Sequence, residues 1–269
     1  MQRGAKLFEK ARCAQCHVPE LKTGEYPLLP AIAKRSFRPY TDLLLHDMGP
    51  GLADGRPDFK AGPRDWRNGS YFGEIVRLKA EWDAICAVKR ESDQVPMTQS
   101  RAIKELRAAL DRRAIVVTGA GIVQAVVRQE FPVYEPRTHL TSGGYSTMGF
   151  TVPAAIGAKL AQPDRQVAAV CGDGDFLQTM QEIGVAAMLD LPVLFVVLNN
   201  SGFGSIKGGQ LANFGRTAAV DFMRRGQPYT PHYANVAREF GIPGEQVTEP
   251  SQVAPAIRRA LASGGPALV

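Results

Sequence analysis

No apolar run in this sequence approaches the roughly 18–20 residues that a membrane span needs, although 45% of its 269 residues are hydrophobic. Cysteine is scarce as well. The four at positions 13, 16, 86 and 171 are too few and too unevenly spaced for a disulfide framework, and Cys86 and Cys171 read as inert core thiols. The positive excess is only +6, with no Lys/Arg run of the kind that tracks phosphates, so neither nucleic acid nor membrane is expected as a partner. The first residues, Met1-Gln2-Arg3-Gly4-Ala5-Lys6, lack an apolar h-region, which predicts no signal peptide and a cytoplasmic protein. The 27 glycines and 19 prolines fall short of a low-complexity chain. No internal repeat is present. What remains is an ordinary globular composition, long enough for one large or two small domains.

The two parts of the chain differ in habit. Residues 1–67 hold short helical stretches broken by turn signals such as Met48-Gly49-Pro50-Gly51 and Asp54-Gly55-Arg56-Pro57, and strand formers are scarce there. Residues 68–97 form a connector with a helical tract around 74–89. From residue 98 the chain alternates. Ile103, Leu106 and Leu110 mark one face of a helix over 101–112, with Thr98 or Ser100 available as N-cap. The segments AIVVT (114–118), VAAVC (167–171) and PVLFVVL (192–198) read as buried strands. Helices are predicted over 153–161, 178–188, 233–240 and 253–262. The final Ala267-Leu268-Val269 looks like a strand that has only begun, so 98–269 is taken as a C-terminally truncated domain. Strand–helix alternation of this kind predicts the α/β class with a doubly wound parallel sheet. Right-handed crossovers then bring every βα turn to one edge, where a ligand binds.

Cys13-Ala14-Gln15-Cys16-His17 is the c-type haem attachment pattern, in which two thiols one helical turn apart add to the vinyl groups and the imidazole ligates iron. A zinc site would want a second pair of ligands nearby, and no second Cys pair exists. The stretch GAKLFEKARCAQCHVPEL, with YTDLLLHDMGPGLADG after it, resembles the haem module of the bacterial dihaem cytochrome c peroxidase-like group, more narrowly its thiol oxidoreductase members. The resemblance covers residues 1 to about 67 and implies a small, mostly α, cytochrome c-like segment. It implies Cys13 and Cys16 as thioether anchors and His17 as the proximal iron ligand. Met48 becomes the sixth ligand, with His46 as the alternative. Haem c attachment in bacteria takes place outside the cytoplasm, in conflict with the cytoplasmic expectation.

Gly172-Asp173-Gly174 closes one predicted strand and Asn199-Asn200 closes the next. A carboxylate and an amide oxygen at neighbouring strand ends suit Mg²⁺, a hard cation that prefers oxygen. The helix that follows, begun near 175–178, would aim its first N–H groups at a phosphate. The stretch TSGGYSTMGFTVPAAIGAKLAQPDRQVAAVCGDGDF, with NNSGFGSIKGGQ after it, resembles the diphosphate-binding module of thiamine diphosphate enzymes of the acetolactate synthase-like group, from about residue 75 to 269. That resemblance implies Mg²⁺ held by Asp173, Asn200 and the Gly202 carbonyl, and a diphosphate met by Gly174 and Asp175. Met148 would bend the cofactor and the Ser146 carbonyl would accept from its 4′-amino group. The substrate implied is a small 2-oxoacid, in a decarboxylase or carboligase reaction.

The chain departs from the group at the first βα turn, where Gly121-Ile122-Val123 replaces polar residues. The carboxylate that activates the cofactor in the group sits in a separate pyrimidine-binding domain, so no catalytic residue is assigned in this chain. Completion of a site would need a pyrimidine-domain subunit or a homo-oligomer. His139 and His232 have no motif support and read as structural. Two alternatives stay open: a haem-binding electron-transfer protein, and a fusion of two gene fragments without function.

Overall fold

A computed structural model describes residues 21–22, 36–37 and 70–269. The chain divides into two compact units, Met1–Arg77 and Leu78–Val269. In the first, β1 (Leu21–Lys22) pairs antiparallel with β2 (Ser36–Phe37), Leu21 opposite Phe37. The expectations placed on Cys13, Cys16, His17, His46 and Met48 lie outside the described residues.

Helix α1 (Ser70–Arg90) contains the whole of the helical tract expected in the connector. Helix α2 (Gln99–Ala109) is capped by Thr98, whose side chain accepts from the Arg101 amide at 3.1 Å; loss of such a cap costs about 1 kcal/mol. The elements then alternate: β3 (Ile115–Thr118), α3 (Ile122–Glu130), β4 (His139–Thr141), α4 (Thr151–Ala161), β5 (Val167–Gly172), α5 (Asp173–Thr179), α6 (Ile183–Met188), β6 (Val193–Leu198), α7 (Gly204–Phe214), a short hairpin β7 (Met223–Arg224) and β8 (Gln227–Pro228), α8 (Tyr233–Glu239), α9 (Pro250–Ala262) and β9 (Ala267–Leu268).

Five strands form one parallel sheet in the order β4-β3-β5-β6-β9. Its central strands are apolar on both faces, as parallel strands covered by helices must be. Along β5, Val167, Ala169 and Cys171 enter one core layer with Val152, Ile156, Phe176, Ile183 and Tyr233. Ala168 and Val170 enter the other with Ile103, Leu106, Val127, Val253 and Ile257. Strand β6 splits in the same way, Phe195 to the first layer and Leu194 and Val196 to the second, which is the period-two alternation of a pleated strand. Helices α4, α5, α6 and α8 therefore cover one face and α2, α3 and α9 the other. This is the doubly wound α/β architecture expected from the alternation. Full burial of a side chain such as Phe195, 0% exposed, contributes roughly 1.5–3 kcal/mol.

Several boundaries differ from the sequence reading: α2 ends at Ala109 rather than 112 and α9 begins at Pro250 rather than 253. The helix expected to start near 175–178 starts at Asp173, because Gly172 is extended (φ −79°, ψ 164°) and turns strand directly into helix. The single helix expected over 178–188 is two, α5 and α6, parted by a 3-10 turn at Met180–Glu182. Among the described residues no helix is long and apolar enough to cross a membrane.

Candidate functional site

Strands β5 and β6 run in register from Val167 opposite Val193 to Gly172 opposite Leu198. Their carboxyl ends therefore deliver Asp173 and the pair Asn199-Asn200 side by side. Asn199 is spent locally: its side chain donates to Thr230 Oγ1 at 2.8 Å and accepts from the Ser201 amide at 3.0 Å. Asn200 instead faces the neighbouring strand end.

Asp173 opens α5 with 1% of its surface exposed. Its Oδ1 accepts from the Gly174 amide at 3.0 Å and its Oδ2 from the Gly202 amide at 3.1 Å. Burial pushes its carboxyl above the usual range, while these backbone N–H groups pull it back. One terminal atom of the Asn200 carboxamide lies 3.1 Å from Asp173 Oδ1 and 2.8 Å from the Gly202 carbonyl oxygen. Placed there, the amide nitrogen donates to both. Placed there, the amide oxygen completes a triangle of three oxygens that only a cation can reconcile.

The segment that carries this triangle is pinned from behind. The Phe203 amide donates to the Val220 carbonyl and the Phe222 amide to the Ser201 carbonyl, both at 2.8 Å. A side chain at Gly202 would put its Cβ 2.5 Å from the Val220 oxygen, so this close approach requires glycine. Among the described residues no group of three or more His, Cys, Asp or Glu could hold a metal. The candidate donor set is one carboxylate, one amide and one carbonyl.

A cleft of about 270 Å³ opens beside the triangle. Ala120, Gly121 and Ile122 line one wall, Ser146 and Met148 another, and Gly172 to Asp175 the floor. The apolar Ile122, 38% exposed, occupies the first βα turn as the sequence indicates.

Asp175 is 4% exposed, and both its oxygens are engaged. Oδ1 accepts from the Gly149 amide and Oδ2 from the Thr151 hydroxyl, each at 2.5 Å. Burial again raises its carboxyl, opposed by these bonds. The carboxylate thus clamps the start of α4, and its place on the cleft floor comes with the first turn of α5.

Ser146 and Met148 sit together on the loop between β4 and α4. Ser146 is left-handed at φ 46°, and Met148 is 39% exposed on the cleft. The Ser146 hydroxyl donates to Gln124 Oε1 at 2.7 Å. Gln124 lies behind the cleft, in contact with a lining residue, and carries no sequence expectation. The available signal was a lone amide between Val123 and Val127 on the apolar face of α3. All the site residues expected in 98–269 (Ser146, Met148, Asp173, Gly174, Asp175, Asn200 and Gly202) line the one cleft.

The two histidines are engaged structurally. His139 Nε2 lies 3.1 Å from Thr118 Oγ1, and His232 caps α8 by accepting from the Asn235 amide. Cys86 and Cys171 are buried free thiols whose pKa burial pushes up, which leaves them unreactive.

Comparison with known proteins follows the same division of the chain. Residues 119–269 match the family described as thiamine pyrophosphate enzyme, C-terminal TPP binding domain, and residues 1–77 match the di-haem oxidoreductase family. The mitochondrial acetolactate synthase catalytic subunit of Aspergillus candidus is 30% identical over 231 residues, covering 85% of this chain and 32% of that protein. The acetolactate synthase of Bacillus subtilis is 35% identical over 186 residues, 66% of this chain and 32% of its own. Acetolactate synthase isozyme 1 large subunit of Escherichia coli is 31% identical over 202 residues, 71% and 34% respectively. The chain spans about a third of the length of these curated relatives.

Proposed function

This chain belongs to the thiamine pyrophosphate enzymes, through their C-terminal TPP-binding domain, and from that membership we propose that residues 98–269 are the Mg²⁺- and thiamine-diphosphate-binding module of an acetolactate synthase-like 2-oxoacid decarboxylase or carboligase. The observation that carries the reading is the convergence of Asp173, Asn200 and the Gly202 carbonyl. Octahedral Mg²⁺ with ligands at 2.0–2.1 Å places neighbouring oxygens about 2.9 Å apart, and the spacings here are 3.1 and 2.8 Å.

In this reading Asp173, Asn200 and Gly202 hold the cation, and Asp173 supplies the single negative charge of the protein ligand set. Gly174 and Asp175 meet the diphosphate. A Cβ at Gly174 would lie 2.8 Å from the Phe203 ring, so glycine keeps that wall of the cleft close. Met148 supports the cofactor rings, and the Ser146 carbonyl accepts from the 4′-amino group. When bound, thiamine diphosphate supplies the electron sink for carbon–carbon bond chemistry at a 2-oxoacid. The residues of this chain bind and orient the cofactor, and the activating carboxylate comes from a pyrimidine-binding domain outside these 269 residues. Calorimetric titration of the full chain with thiamine diphosphate tests the reading. Binding is expected with Mg²⁺ and not after chelation, and no binding at millimolar cofactor overturns it.

A second reading concerns residues 1–77 and rests on their match to the di-haem oxidoreductases together with Cys13-Ala14-Gln15-Cys16-His17. It makes this segment a haem c-binding electron-transfer unit, with Cys13 and Cys16 as anchors and His17 and Met48 as iron ligands. Expression with a c-type maturation system and a reduced-minus-oxidised spectrum decides it: a covalent haem band supports it, and an unpigmented protein removes it.

A further inference from the structure

We propose that Gln124 is a positioning residue that presents Ser146 and Met148 to the cleft, and so sets the preference of the site for the organic part of thiamine diphosphate over its phosphates. The proposal rests on the thiamine diphosphate reading above.

Gln124 is 6% exposed near the start of α3. Its carboxamide has one possible orientation, because its Nε2 lies against the Gly119 carbonyl, which can only accept. The same nitrogen donates to Thr141 Oγ1 at 2.6 Å. That leaves Oε1 to accept the Ser146 hydroxyl at 2.7 Å. A single side chain thus joins the end of β3, the end of β4 and the loop that leads to α4.

The loop needs such a tether. Ser146 holds a left-handed conformation that residues other than glycine, Asn and Asp rarely adopt. It lies between two glycines with positive φ, Gly143 at 71° and Gly149 at 82°, positions that give the backbone little preference of its own. Asp175 fixes the far end of the segment through the Gly149 amide and Thr151. Gln124 fixes the near end at Ser146, and Met148 is carried between the two anchors. None of the bonds of Gln124 reaches Asp173, Asn200 or Gly202. The three cation ligands and the ring end of the cleft therefore have different side-chain supports, and loss of Gln124 acts on the second more than on the first.

The experiment measures Mg²⁺-dependent binding of thiamine diphosphate and of inorganic diphosphate to the full chain, and reads the ratio of the two dissociation constants. Gln124→Ala is expected to lower the preference for thiamine diphosphate about tenfold, the effect of one buried hydrogen bond lost, with inorganic diphosphate affinity held within about twofold. Ser146→Ala removes the same bond from the cleft side and should lower the preference similarly. The double variant should lose no more than the larger single loss, because both substitutions break one link. If Gln124→Ala does not fold, Ser146→Ala decides alone. An unchanged preference, or losses that add in the double variant, overturns the positioning role while the cofactor reading stands. A wild-type chain that takes up neither ligand overturns both.

Discussion

At the amino ends of the strands, Lys159 is 7% exposed, and its ammonium donates to the carbonyls of Pro163 and Arg165 at 2.7 and 2.8 Å. At the carboxyl ends, Asp173 and Asp175 are 1% and 4% exposed and accept from backbone amides and a hydroxyl. Each end buries charge, and burial disfavours the charged form in each: the lysine is pushed down and the two carboxyls up. The difference lies in what closes the charge off. Lys159 stands in the last turn of α4, where a cation is favoured, and its partners are carbonyls of the adjoining turn. Asp173 lies 3.1 Å from the Asn200 carboxamide and lines the open cleft. A buried charge closed off by the adjoining turn is structural, whereas in the proposed reading the one on the cleft floor is a ligand for the cation.

Asp173→Asn tests that contrast most severely. It removes the charge and turns one of two acceptors into a donor facing a backbone N–H, so Mg²⁺-dependent thiamine diphosphate binding should weaken by roughly 100-fold or more, with a melting temperature without metal that falls by no more than one lost buried hydrogen bond explains. Retained affinity in calorimetry would place the charge on the structural side of the comparison. Lys159→Met should do the reverse. It strips the donor from two carbonyls and should cost about 1–3 kcal/mol in urea unfolding, with cofactor affinity unchanged; a shift in affinity would abolish the distinction between the ends.

The smallest effect belongs to His139, the first residue of β4 and away from the triangle. Burial, with help from Arg128, lowers its imidazole pKa. The unfolded chain then takes up the proton near pH 6.5 while the folded chain resists it. Stability is full above that pH and declines as pH falls through the lowered folded value. His139→Gln should flatten the decline by less than about 1 kcal/mol in melts between pH 7 and 5. An unaltered slope would show that the imidazole is not the group that titrates.

What could be read in the sequence follows from where burial writes a pattern. VAAVC and PVLFVVL are buried on both faces and flanked by Gly-Asp-Gly and Asn-Asn, so both the strands and the residues at their ends could be placed without coordinates. Strand β4 leaves no sequence signal, because His139, Leu140 and Thr141 are all half-buried and three residues are too few for any period to register. Helices α3 and α7 escaped for related reasons. The first begins directly after Gly121, and the second carries three glycines and has no buried residue. Asp175 could be placed in the cleft, but its clamp on Gly149 and Thr151 is a contact across the chain that no local motif encodes. Gln124 shows the same limit, since its partners at 119, 141 and 146 belong to three different turns.

The in-register pairing of β5 with β6 also bears on how the protein reaches its native state. Every atom of the triangle comes from one strand–helix–strand unit, residues 167–202, whereas the strands that flank this unit, β3 and β9, join it from residues 115–118 and 267–268. Closing that unit is a local event with a small loop-entropy cost. The pairing of β9 with β6 instead spans Leu194 to Ala267. The triangle can therefore assemble early, ahead of the sheet that finally encloses it, and a cation captured at that moment would favour the pairing of the two strands before the rest of the fold has to supply it.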